Sequence, residues 1–508
     1  MSRTLVLLAF AAFAAAALAP IAAMLPRVEA ADWQALFATA HWELLGNTLL
    51  FGAATAVLAL LVGLPFGLLV ARTDVPFART ARALGIVPLC IPPMLFAMVF
   101  TVLSDLRGAA ASILILATST FPIVAVFTVR AAERIDARLE EAALLVGGVR
   151  AALWIDLRLV MPSALCGACF AFVFAIHDFS VPDYVAFVGP KFNVYAAEIF
   201  ASWRVDSRPG LAVAKSLPLV LLSIAVIVPA LRLNRAASAT TIQAGFRTGA
   251  PLALGGWKVP AAFFVLAVLA CGVFVPLGRL LWEAGGGAAG FEVPRIASAF
   301  GRALELSRVN LQQSFLWSVG AAAAVVPVAL VLGHALSRAR WLEPFAILPL
   351  AVPAILFGIG EIVLWNHAWS APFYDGPGLV VLLFAGRFAC FAILAVSGAA
   401  TALDPRLEEA ATLAGARPAR RLVSIVAPSL RSALAGGFVL VFVLSMRELD
   451  AAILVPTANQ TAIFRVYQQV HFGRDDFVAA LALLVVCLIL LPGVLWAAFG
   501  GRRLEVLP

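Results

Sequence analysis

The sequence predicts an all-α polytopic membrane protein, with about twelve transmembrane helices in two parallel six-helix repeats. Three observations carry this. The 508 residues are 63% hydrophobic and only 13% charged, against roughly 45–50% and 25% in soluble proteins. The apolar residues fall in runs of the length that a bilayer core requires, about 20 per helix. A fourteen-residue segment returns at an offset of 268 with nine identities. An ordinary soluble enzyme, a disordered chain and a fibrous protein are excluded.

The apolar runs are Thr4–Met24, Leu44–Ala71, Ala83–Leu103, Ala110–Val129, Val160–Phe179, Leu211–Leu231, Val259–Leu281, Leu311–Leu336, Leu342–Trp365, Gly378–Ala400, Leu430–Ser445 and Phe477–Phe499. The segments between them are too short for a separate soluble domain. The first run follows Arg3 and is long for the apolar core of a leader, so it reads as a retained span. A cleaved leader would leave the other eleven in the same orientation. Pro92, Pro93 and Pro353 are expected to kink or interrupt the third and ninth spans.

Basic residues set the orientation. With the amino terminus inside, the inner segments hold 22 of the 36 Lys and Arg residues, among them Arg72, Arg134, Arg232 and Arg420, and the outer segments hold 10. Both termini are then cytoplasmic. The net charge of +8 reports topology. The cations are spread over many short loops without interleaved aromatics, which argues against a nucleic-acid partner. The six cysteines all lie inside spans. Cys166-x-x-Cys169 has no polar partners nearby and reads as two small packing residues.

The repeat pairs Ile135–Gly148 with Leu403–Ala416. Other landmarks keep nearly the same offset. Pro88-Leu89-x-x-Pro92 matches Pro349-Leu350-x-x-Pro353, each before a Leu-Phe pair, and Asn47-Thr48-Leu49 opens the second span as Ser314-Phe315-Leu316 opens the eighth. The chain therefore divides into 1–240, a linker at 241–258, and 259–508. Six spans per half make the duplication parallel.

Both repeated segments sit in the longest inner loop of their half, about 130–162 and 401–428. Asp136 and Asp404 can cap a helix, and Pro405 suits its first turn. Leu139, Ala142, Ala143 and Val146 recur at helical spacing, as do Leu407, Ala410, Ala411 and Ala414, so each helix has one apolar, small-residue face. Gly147-Gly148 and Gly415 suit a helix stop. Small residues admit another backbone closely, and Glu141 and Glu409 add charge beside that face. A docking knob for a soluble partner fits this pattern. An amphipathic helix lying on lipid headgroups is the alternative; two copies at equivalent loops favour docking.

Glu409-Ala410-Ala411-x3-Gly415-x9-Ile425-x-Ala427-Pro428 resembles the EAA motif of binding-protein-dependent ABC transporter permeases, with Ala427 where that motif has leucine. Glu141-Ala142-Ala143-x3-Gly147 resembles it too, with two extra residues before Pro162. The similarity extends over nearly the whole chain and is nearest to fused, two-domain permeases of ferric iron importers. It includes Gly46-Asn47-Thr48-Leu49, Leu69-x-Ala71-Arg72-Thr73-Asp74, Val87-Pro88-Leu89-x-x-Pro92-Pro93, Phe179-x-Val181-Pro182-Asp183 and Val466-Tyr467 followed by Phe472-Gly473-Arg474-Asp475. The resemblance implies transmembrane domains of the MetI-like type in a bacterial inner membrane. It implies an extracytoplasmic solute-binding protein at the outer face. It also implies two cytoplasmic ABC ATPase subunits, one receiving Glu141, Ala142, Ala143 and Gly147, the other Glu409, Ala410, Ala411 and Gly415. Thiamine, polyamine, sulfate and phosphonate importers share this architecture with iron importers.

The chain itself should not hydrolyse ATP, because no G-x-x-x-x-G-K-[ST] loop is present to hold phosphates. No cofactor or metal site, and no catalytic constellation, is expected. Ionisable residues at membrane depth are pathway candidates. His177, Asp178 and Asp183 lie at the outer end of the fifth span, Arg447, Glu448 and Asp450 at the equivalent place in the second half, and Glu361 and Arg387 near or within spans nine and ten. Interfacial solvation or an internal ion pair would also account for them. An ion-coupled 6+6 secondary transporter is the competing function class.

Overall fold

A computed structural model of the chain describes residues 3–36, 39–204, 206–239, 247, 249–454, 456, 460–470, 472 and 475–499. Gly473 and Arg474 of the resembling segments, residues 241–246 and 248 of the linker, and the end of the chain from 500 lie outside the described residues.

The principal helices are α1 (Arg3–Arg27), α2 (Thr39–Arg72), α3 (Ala78–Cys90), α4 (Pro93–Leu103), α5 (Gly108–Ala132), α6 (Ala137–His177), α7 (Ser180–Val188), α8 (Tyr195–Arg204), α9 (Pro209–Ala239), α10 (Gly255–Ala284), α11 (Val293–Arg338), α12 (Arg340–Ala351), α13 (Ala354–Trp365), α14 (Pro377–Ala400), α15 (Pro405–Leu413), α16 (Pro418–Ser429), α17 (Arg431–Met446), α18 (Ala462–Val470) and α19 (Asp475–Phe499). Among the described residues nine helices are long and apolar enough to cross a membrane, and three bent pairs bring the number to twelve. The chain is an all-α, multi-pass membrane protein.

The prolines decide two of the bends. Ile91 and Val352 precede Pro92 and Pro353, and each is extended, at φ −84°, ψ 124° and φ −92°, ψ 128°. The proline ring disfavours helical backbone in the residue before it. α3 and α4 therefore meet at 96°, and α12 and α13 at 97°. The expected interruption of spans three and nine is a near right angle in both halves.

The helices gather into two compact units. One comprises Leu36–Glu198 and Leu217–Glu283, the other Met1–Ala35, Ile199–Ser216 and Ala284–Pro508. In the first, α2, α5 and α6 pack on one another; in the second, α11, α14 and α17 do the same. These are equivalent helices of the two sequence repeats. Each unit also takes a span from the other half of the sequence. α1 lies against α11, α13 and α14. A Cβ on Gly386 would collide with the Ala16 carbonyl, and one on Gly360 with the Pro20 carbonyl. The bare glycines let the α1 backbone approach closely, which is how packing is won where lipid is as apolar as a side chain. α10 buries Val265, Val268, Leu269 and Val273 in a core shared with Phe121, Val124 and Val129 of α5.

A repeated polar contact fixes the long helices. The Thr48 hydroxyl on α2 accepts the Tyr195 N–H at 3.1 Å, at the start of α8. The Ser314 hydroxyl on α11 accepts the Ala462 N–H at 2.7 Å, at the start of α18. This aligns Thr48 with Ser314 and shifts the sequence pairing of these segments by one residue.

Candidate functional site

The two loop helices begin as the sequence predicts. Asp136 accepts the Arg138 N–H at 3.0 Å and Asp404 the Arg406 N–H at 2.9 Å. Each carboxylate satisfies a backbone donor that the first helical turn leaves open. Their ends follow the glycines. Gly148 has φ +62° and Gly415 φ +76°, a left-handed backbone that glycine adopts without steric cost. In the first copy helical geometry breaks at Gly147-Gly148 and then resumes, so α6 is one element with a break.

Of the motif residues, Glu141, Ala142 and Gly147 are exposed and Ala143 is buried; Glu409, Ala410 and Gly415 are exposed and Ala411 is half-buried. Large apolar side chains at the free ends face outward. Leu145, Val146 and Leu413 are 89%, 90% and 90% exposed.

The inward-facing residue of each motif is the preceding glutamate. Glu140 is buried and forms an ion pair with Arg72, the last residue of α2. Asp156, fully buried on the continuation of α6, lies 3.8 Å from Arg72 Nε. In the second half Arg338, the last residue of α11, donates to Glu408 Oε1 at 2.6 Å, and His334 Nε2 lies 2.7 Å from the same oxygen. Sequence reading pointed to Glu141 and Glu409 and passed over Glu140 and Glu408. A signal was available: both glutamates fall among the nine identities, and Arg72 and Arg338 end the second and eighth spans at a similar offset.

The linker braces the first motif. Ala137 N–H donates to the Arg247 carbonyl at 2.9 Å, and Arg247 Nη2 to Glu141 Oε1 at 2.6 Å. Leu252 N–H donates to the Arg72 carbonyl at 2.7 Å, and Asp74 N–H to the Leu252 carbonyl at 3.1 Å. Asp74 accepts from Leu254 N–H at 2.9 Å and from Lys258 Nζ at 3.0 Å. The Leu254 N–H, with Lys258 beside it, holds the Asp74 carboxyl below its ordinary range.

Asp178 and Glu448 lie at helix breaks, and Asp183, Glu361 and Arg387 lie within α7, α13 and α14. Asp178 Oδ1 accepts the Val181 N–H at 2.9 Å and the Ser180 hydroxyl at 3.2 Å. Glu448 Oε1 accepts the Ala451 N–H at 2.8 Å. The two carboxylates thus make the same local bond, to the amide three residues on, in both halves. Arg387 Nε donates to Glu448 Oε2 at 3.3 Å, so its partner is Glu448 and not Glu361. Asp450 is buried and Asp183 half-buried. His177 Nε2 lies 2.9 Å from the Ser223 hydroxyl. Glu361 is buried with no hydrogen-bond partner for either oxygen among the described residues. Among those residues no three His, Cys, Asp or Glu side chains gather closely enough to hold a metal, and none of the six cysteines is bridged.

The family of binding-protein-dependent transport system inner membrane components matches this chain twice, at residues 63–239 and 299–505. The chain belongs to this family. It is a fused, two-domain permease of an ATP-binding-cassette importer, and its role is transport. Membership decides against the ion-coupled alternative. Permeases of this family work with ATPase and binding-protein partners. The permease is 30% identical over 239 residues to the molybdate/tungstate transport system permease protein of Thermococcus kodakarensis, an alignment covering 43% of this chain and 94% of the relative. It is 28% identical over 198 residues to the corresponding protein of Pyrococcus abyssi, covering 36% and 77%. It is 29% identical over 191 residues to the putrescine transport system permease protein of Escherichia coli K12, covering 36% and 67%. None of these names mentions iron.

Proposed function

We propose that this chain supplies both membrane halves of an importer, 1–240 and 259–508 joined by the 241–258 linker, and that its two loop helices receive two cytoplasmic ATPase subunits. Glu141, Ala142, Ala143 and Gly147 contact one ATPase; Glu409, Ala410, Ala411 and Gly415 contact the other. The observation that carries this is the pair of equivalent loop helices. Each is capped by aspartate, stopped by glycine, and presents outward glutamate and apolar side chains. In the orientation set by the basic residues these helices and both termini are cytoplasmic, in a bacterial inner membrane. An extracytoplasmic solute-binding protein delivers solute at the opposite face. ATP binding closes the ATPase pair, and the loop helices carry that motion into the spans as a rigid-body switch. Asp178, Asp183, Glu448 and Asp450 line the pathway near its outer mouth, and Arg387 lines it about half-way along α14. Ionisable groups at that depth are costly unless they serve transport or pair with one another.

Docking is tested by co-purifying the ATPase with Glu141→Lys plus Glu409→Lys protein. Loss of the ATPase and of uptake is expected; undiminished binding and uptake would refute the docking.

For the solute we propose ferric iron, supported by the resemblance of the motif segments to fused iron permeases. A second reading, import of a tetrahedral oxyanion, is favoured by the names of the Thermococcus and Pyrococcus relatives. Radiolabelled ferric iron and molybdate uptake in a deletion strain separate the two. Loss of iron uptake alone supports the first, and loss of molybdate uptake alone the second.

A further inference from the structure

We propose that Arg72–Glu140 and Arg338–Glu408 are positioning pairs that clamp each loop helix to the end of a long spanning helix, so that a push on the loop helix moves that span. This rests on the docking role proposed above.

The geometry is the same in both halves. The arginine is the last residue of α2 or α11. The glutamate is in the first turn of the loop helix and directly precedes the outward-facing glutamate of the motif. In α15, Glu408 is the one buried residue of nine. The other residues are exposed except the half-buried Ala411, so Glu408 is the deepest contact of that helix with the protein below it. In α6 the corresponding burial is by Ala137, Glu140 and Ala143 before the break at Gly147-Gly148. Both long helices belong to the packed three-helix core of their unit. A displacement received by the pair therefore enters that core directly.

The surroundings support a held pair. Arg72 and Glu140 are 6% and 3% exposed, and Arg72 also faces Asp156. Gly249 closes over the pair; a Cβ there would collide with Glu140 Oε2 and Arg72 Nη2. Arg338 is half-exposed, and the buried His334 supplies the second contact to Glu408. Carboxylate–guanidinium hydrogen bonds are directional and short, and they hold an angle as well as a distance. An apolar contact would let the helix slide.

The test uses the whole importer, chain with ATPase and solute-binding protein, reconstituted in proteoliposomes. Solute moved per ATP hydrolysed is measured for Glu408→Gln, Arg338→Ala and Arg72→Ala. The ATPase should still co-purify, while transport per ATP falls about fivefold or more, the lower range of a typical coupling energy. Arg338→Lys and Arg72→Lys should recover much of it. A merely structural defect would lower assembled complex, hydrolysis and transport together and leave their ratio unchanged, and that result would overturn the proposal. Should the alanine variants not accumulate, spin labels at Leu413→Cys and Arg340→Cys, with native cysteines replaced, report on the Glu408→Gln chain. The label distance should broaden relative to Glu408; an unchanged distribution refutes the clamp. Failure of the docking role shows separately, as an ATPase that binds Glu141→Lys plus Glu409→Lys protein normally.

Discussion

Arg387 and Glu448, 61 residues apart, form an ion pair at 3.3 Å in which the side chains are 13% and 10% exposed. Glu448 uses its other oxygen to hold the Ala451 N–H, so the pair ties α14 to the backbone that follows α17. Breaking a buried pair from one side leaves an uncompensated charge and costs about 3–5 kcal/mol. Arg387→Ala should therefore lower the thermal midpoint in detergent well below that of Arg387→Met plus Glu448→Met, which removes both charges. Equal midpoints would show that the pair is solvated.

Gly386 admits the Ala16 carbonyl. Gly386→Val should push α1 off α14, at about 1–3 kcal/mol for overpacking. Cysteine cross-linking between α1 and α14 measures this. Full cross-linking yield in the variant would contradict the close approach.

Thr48→Val and Ser314→Ala each remove the acceptor of a buried N–H. A loss of about 1 kcal/mol apiece is expected. Hydrogen exchange should quicken at the amides of Tyr195 and Ala462 while the α5 and α14 amides stay protected.

The depressed Asp74 titration has a defined sign. The folded value lies below the unfolded one of about 3.9, so its contribution is present above that pH and is lost as pH falls through the folded value. The brace of Leu254 and Lys258 on Asp74 should hold at neutral pH and loosen only below about pH 4. Limited proteolysis with an acid-active protease reads this as cleavage near 247–258. Asp74→Asn should expose the segment at neutral pH.

Much of this protein can be read in its residues because bilayer physics is severe. A span needs about 20 apolar residues, so composition alone marks the spans. Proline disfavours helix in the residue before it; the helices break at Pro92 and Pro353, while Pro122 and Pro327 sit inside continuous ones. The loop helices are legible for a similar reason: Asp136, Asp404, Gly148 and Gly415 act on the backbone next to them. The glutamate pairs are harder. Glu140 and Glu141 are adjacent and chemically alike, and only the position of Arg72, 68 residues away, decides which turns inward.

The class, the two repeats, two of the three bends and the loop helices are legible in the residues, because each depends on local backbone chemistry or on the length of an apolar run. Tertiary structure alone decided that α1 packs with the second half's helices and α10 with the first half's, that Arg387 holds Glu448, and that Arg72 and Arg338 grip the loop helices. A span that is apolar on every side carries no mark of its neighbour, and an ion pair exists only where the fold brings two distant side chains within reach.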